Sequence, residues 1–169
     1  MAESGIHCEP LRRNGAYLKG VMTLHTPHAP DAVWAALTEP EHLVNWLAPG
    51  EIELRPGGAV RLDFEHSGVV IDSQVLRLNP PTTLSYSWSR PGEPLRPIDW
   101  TLVADGEEGS RLTLCVQVPG SEDAARACAG WAAHLEMLAA CLEGVPVKFP
   151  FETFQARRAA YAAGHAPSG

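Results

Sequence analysis

The side chains in this 169-residue chain that could carry out chemistry are few and scattered. Seven histidines fall at positions 7, 25, 28, 42, 66, 134 and 165, and four cysteines at 8, 115, 128 and 141. No Cys-x-x-Cys pair occurs and no histidine stands at zinc spacing from a cysteine, so the thiols read as reduced, in a cytoplasmic protein, and no metal is expected. Gly-x-Ser-x-Gly, His-Glu-x-x-His, the P-loop and Gly-x-Gly-x-x-Gly are absent from the sequence, and no catalytic residue or cofactor is expected. No two carboxylates have a spacing that forces them together for acid–base work. What the chain does hold is a set of bulky aromatics, Phe64, Tyr86, Trp88, Trp100 and Trp131, in the phase of their elements that turns inward. Such residues most often fill a core; grouped around a space, they recognise an apolar molecule. Tyr86 adds a hydroxyl able to orient it. His66 ends a strand in phase with Phe64, which places it at a cavity rim or in a solvated turn. His134 lies one residue off a helical stripe and reads as a boundary residue.

The elements that must position these side chains follow from hydrophobic period. Residues 1–15 have no period and read as a loose, flexible arm. Ala16–Leu24 reads as a strand. Pro30 suits the first turn of a helix carrying Val33, Trp34 and Leu37 on one face, and Thr38 with Glu41 predicts a capping box for a second short helix. The period then becomes two: Val60, Leu62 and Phe64; Val69 to Leu78, where the apolar phase slips as a bulge would make it; Leu84, Tyr86 and Trp88; Ile98, Trp100 and Leu102; and Leu112 to Val118. Turns rich in Gly, Pro and Asp separate these strands. Finally Cys128, Trp131, Leu135, Leu138 and Leu142 are spaced 3, 4, 3, 4, one apolar stripe on a long helix that Ser121 is expected to cap and Gly144 and Pro146 to end. The order predicts an α+β fold: a curved antiparallel sheet of about six to seven strands around one long helix. The domain is expected over 16–144, with 145–169 a tail whose later part is Ala-rich and helical.

Composition narrows the function classes. The chain is 45% hydrophobic and 20% charged, with 13 basic against 20 acidic residues and a net charge of −7. That balance, without a basic patch, disfavours nucleic acid and anionic membrane as partners. Ala127–Leu142, the longest apolar run, is broken by His134 and Glu136 and is shorter than the roughly 20 residues a membrane span needs. The opening MAESGIHCEP has neither the basic nor the apolar region of a secretory signal.

Three segments resemble one family. Val33-Trp34-Ala-Ala-Leu37-Thr38-Glu39-Pro40-Glu41-His42-Leu43-Val44-Asn45-Trp46 resembles the opening of START-like (SRPBCC) domains. Val75 to Trp88, through Asn79-Pro80-Pro81, is similar to their central hairpin, and Gly130-Trp131 with Leu135, Leu138 and Leu142 to their C-terminal helix. Together they point to the subgroup resembling the C-terminal domain of the heat-shock protein 90 ATPase activator, over roughly Ala16 to Glu143. The resemblance implies a helix-grip fold with an apolar cavity between sheet and helix, and it puts Trp46 at the cavity mouth. The expected function is binding of a small hydrophobic molecule by Trp46, Phe64, His66, Tyr86, Trp88, Trp100, Trp131, Leu135 and Leu138. A polyketide cyclase- or aromatase-like enzyme, using Tyr86 or His66, is one alternative. A co-chaperone-like interaction module active in the stress response is the other, and the second domain such activators carry is not expected here. A homodimer joined through the tail is a further candidate.

Overall fold

The computed structural model describes residues 5–64, 67–94 and 96–164. Nine strands form one antiparallel sheet: β1 (Gly5–Cys8), β2 (Arg12–Asn14), β3 (Tyr17–Thr26), β4 (Gly50–Ile52), β5 (Ala59–Phe64), β6 (Val69–Asn79), β7 (Thr83–Ser87), β8 (Pro97–Asp105) and β9 (Gly109–Pro119). Two short helices, α1 (Pro30–Thr38) and α2 (Pro40–Trp46), follow β3; the long α3 (Ala124–Leu142) and then α4 (Phe151–Ala162) close the chain. The strand order β1-β3-β9-β8-β7-β6-β5-β4 keeps most sequential strands adjacent, and β2 shares the β3 edge with β1. This is the helix-grip arrangement.

Alternation of apolar and polar residues gives each strand one buried face. Met22 and Leu24 on β3, Ile98, Trp100 and Leu102 on β8, and Leu112, Leu114 and Val116 on β9 are all at most 2% exposed. Cys128, Leu135 and Leu138 on α3 meet them as the 3, 4, 3, 4 spacing predicts, each at 0%, while Leu142 is half-buried. The phase slip in β6 is a register shift between Val75 and Arg77. Close approach of helix to sheet depends on Gly20, where a Cβ would lie 2.6 Å from the Cys128 sulfur.

Three expectations need correction. The stretch read as a loose arm pairs along β3, Cys8 opposite Met22 and Arg12 opposite Lys19, because an edge strand otherwise exposes unpaired backbone groups. Thr38 does not cap α2: it ends α1, its hydroxyl donates to the Trp34 carbonyl, and the N-cap position of α2 is Glu39, which makes no side-chain capping bond. The cap of α3 is Asp123, which accepts from the Arg126 backbone N–H at 3.0 Å, because the helix starts two residues later than Ser121 would place it. The tail, read as helical in its later part, is helical in α4 and packs on its own chain. Tyr161 and Arg157 of α4 are 3% and 4% exposed, and Arg157 Nη1 lies 2.7 Å from Glu136 Oε1 on α3. Burial there raises the Cys8 thiol and the Tyr161 phenol above their ordinary values and pushes the Cys128 thiol up to about 12. All four cysteines are free.

Candidate functional site: an aromatic groove beside the long helix

An open groove of about 760 Å³ runs along the N-terminal half of α3. Its sheet wall is Phe64 at the end of β5, Val69 at the start of β6, and Trp88 just after β7. Its helix wall is Ala127, Gly130, Trp131 and His134, spaced i, i+3, i+4, i+7 and therefore on one face. Phe149, from the α3–α4 connection, and Phe154 of α4 complete it. The rings meet edge to face. Trp88 and Trp131 have centroids 4.5 Å apart at 65°, Phe64 and Trp88 5.8 Å at 78°, and His134 and Phe149 5.7 Å at 67°. Next to Trp131 and one turn before His134, Gly130 contributes no side chain, and a Cβ built there meets nothing within 4 Å. The recess in the helix surface is therefore a property of the sequence at that turn.

The chain's residues 27–143 match the family model described as "Activator of Hsp90 ATPase homolog 1-like protein". The chain belongs to this family. Family membership and the helix-grip sheet agree with the START-like resemblance. No curated protein matches the chain. Among solved structures it is similar to CalU16 from Micromonospora echinospora, with TM-score 0.74 and 24% identity over 95% of this chain and 96% of that one. It is also similar to DynU16, a protein in the dynemicin biosynthetic locus, with TM-score 0.68 and 28% identity, covering 79% of this chain and 49% of DynU16. The Aha1 dimer from Colwellia psychrerythraea matches with TM-score 0.60 and 19% identity over 73% of this chain and 94% of that one, a likeness of fold.

In this family member the expected site residues separate into three groups. Phe64, Trp88 and Trp131 line the groove. Trp46, Tyr86, Trp100, Leu135 and Leu138 do not; each is at most 1% exposed, in the core beneath it. Trp46, placed at a cavity mouth by the resemblance, is instead a pin. Its indole N–H donates to the Ala36 carbonyl at 2.7 Å, and its ring meets Trp100 edge to face at 5.9 Å. Tyr86 touches Trp88 from below at 6.4 Å, and burial raises its phenol, which keeps it protonated. His66 lies outside the described residues.

Several groove residues were not among those expected, Phe149, Phe154, Arg126 and His134 among them. Phe149 and Phe154 come from the segment read as a tail, where the aromatic density of Phe149, Phe151 and Phe154 was the available signal. Arg126 and His134 were set aside as lying off the apolar stripe; their spacing from Trp131 puts His134 on the same face and Arg126 one turn and a half earlier. His134 Nδ1 is 2.8 Å from the Trp46 carbonyl oxygen. Burial lowers its pKa below the ordinary 6.5, against a smaller upward effect of that hydrogen bond, so the ring is neutral at pH 7.

The rim is charged and mostly compensated. Arg96 grips Glu122 with two hydrogen bonds, 2.9 and 2.6 Å, and Arg158 donates to Asp123 at 2.7 Å. Arg90 and Arg126 also line the groove, and neither has an ion-pair partner among the described residues. The described acid–histidine cluster Glu39, Glu41 and His42 is on the surface, away from the groove lining. No described helix is long and apolar enough to cross a membrane.

Proposed function

We propose that the groove binds a small hydrophobic molecule, with Phe64, Trp88, Trp131, Phe149 and Phe154 as its contact surface. The observation that carries this reading is the open groove that those rings line. Small-molecule sites are commonly about 300–1,000 Å³ and largely apolar. A space of about 760 Å³ fits that class. The family fold is compatible with the reading, since the groove lies where α3 borders the edge of the sheet. The reading does not extend to activation of a chaperone, because the Aha1 dimer shares only the fold with this chain.

A neutral fluorescent dye, phenyl-naphthylamine, tests it. Wild-type protein should give a saturable rise in fluorescence. Gly130→Phe should abolish that rise with little change in the unfolding midpoint, because the added ring has open space to enter and glycine is the poorer helix former by several tenths of a kcal/mol. A wild-type protein that gives no saturable signal, or a Gly130→Phe variant that binds dye as well as wild type, would count against the groove as a binding site.

A further inference from the structure

His134 sits where the three walls of the groove meet. Its ring is ringed by Phe64 at 6.1 Å, Trp131 at 6.3 Å and Phe149 at 5.7 Å, each edge to face. The Trp46 carbonyl oxygen, 2.8 Å from Nδ1, can only accept a hydrogen bond. Nδ1 must therefore carry a proton. In the neutral ring the second nitrogen, Nε2, is then left with an unprotonated lone pair. Nε2 has no hydrogen-bond partner among the described residues, and the His134 side chain lines the groove. The lining carboxylates, by contrast, are at the rim and already held by Arg96 and Arg158.

The rigid part of this arrangement is unusual for a boundary histidine. Trp46 is itself fixed by its own indole hydrogen bond to Ala36, so the carbonyl that sets the His134 tautomer does not move with α3 alone. The lone pair is presented by a positioned ring, inside an aromatic wall, at a point where none of the described residues uses it.

We propose that His134 Nε2 is the hydrogen-bond acceptor that selects, among apolar molecules entering the groove, those whose aromatic ring bears a hydroxyl group. The inference rests on the binding role proposed above and adds the chemical class of the ligand. A phenolic O–H donates to an imidazole nitrogen while its ring packs against Trp131 and Phe149, so one molecule satisfies both the apolar wall and the His134 acceptor within it. Water competes for the same lone pair, which keeps the selectivity modest, about three- to tenfold for a neutral hydrogen bond.

The test uses naphthol and naphthalene, which differ by the hydroxyl group, with wild type and His134→Phe. Wild type should bind naphthol about three- to tenfold more tightly than the variant does. Naphthalene should bind the two proteins equally, or the variant slightly better, and this control reports that the groove is intact. Naphthol affinity that does not change while naphthalene affinity also holds overturns the assignment. Failure of both ligands to bind wild type overturns the binding role itself. A measurement without substitution covers the case in which the variant does not fold. In the nitrogen spectrum of wild-type protein labelled at histidine, Nε2 of His134 should be the unprotonated nitrogen and should shift with naphthol and not with naphthalene. A proton on Nε2, or equal shifts with both ligands, would also overturn it.

Discussion

The two flanks of α3 are built from the same helix and end in opposite states. On the sheet side, Cys128, Leu135 and Leu138 are fully buried against β3 and β9, and Gly20 lets the helix approach until the Cys128 sulfur would touch a methyl group. Aliphatic side chains interdigitate, so that flank closes without space. On the other flank, Ala127 and Gly130 give the helix little to fill with, while Trp131, Trp88, Phe64, His134 and Phe149 meet edge to face. Large flat rings held at steep angles around a missing side chain leave a groove. The difference teaches that burial alone does not mark the site: Trp100 and Trp131 touch at 5.8 Å, yet only Trp131 reaches the groove.

The largest test of this contrast is Trp131→Ala, since Trp131 belongs to both flanks. It should cost about 3–5 kcal/mol by chemical denaturation and remove dye binding together. A variant that loses binding and keeps its stability would show that Trp131 packs less firmly than its 7% exposure implies. Next comes Leu138→Trp, on the closed flank. Overpacking a filled core should cost about 1–3 kcal/mol, with dye affinity unchanged in the protein that remains folded. If the substitution instead leaves the unfolding midpoint in place and weakens the dye, the cavity extends below Leu138 and the closed flank is not closed.

The smallest effect is on pH dependence. The folded pKa of His134 is below 6.5, so in the interval beneath 6.5 the unfolded chain binds more protons than the native one, and stability falls as pH falls through that window. Asp123 behaves in a different window. The Arg126 backbone N–H, and then Arg158, hold its carboxyl below the ordinary 3.8, so its contribution is present above 3.8 and is lost as pH falls below it. Unfolding midpoints measured against pH should show both steps in wild type. His134→Phe should lose only the upper one. Asp123→Asn, which still caps a helix, should lose only the lower one. A wild-type curve that stays flat as pH falls below 6.5 would mean that His134 is solvated and the groove wall open there.

Much of the architecture was legible because period reports geometry. The return from a period of two to 3, 4, 3, 4 at Cys128 marked α3, and the phase slip between Val75 and Leu76 marked the irregularity in β6. The edge strands β1 and β2 were illegible because Gly5–Cys8 and Arg12–Asn14 are too short for a period to form; their partner, β3, makes them strands. In the site, periodicity pointed Phe64, Trp88 and Trp131 inward, and they line the groove. It pointed Tyr86, Trp100, Leu135 and Leu138 inward with equal force, and they are core.

The amino-acid sequence by itself determined the elements, the apolar faces and the packing of a sheet on one helix, because alternation and helical spacing leave each element one face to bury. Which inward side chains border open space was decided only in the folded molecule. That depends on sheet curvature and helix position, and on Phe149 and Phe154, which return from a later segment to complete the groove. The tautomer of His134 was decided the same way. A carbonyl 88 residues away, on α2, fixes the proton on Nδ1. No local pattern carries that information, because a backbone carbonyl is the same group at every position and only tertiary contact makes one of them the partner.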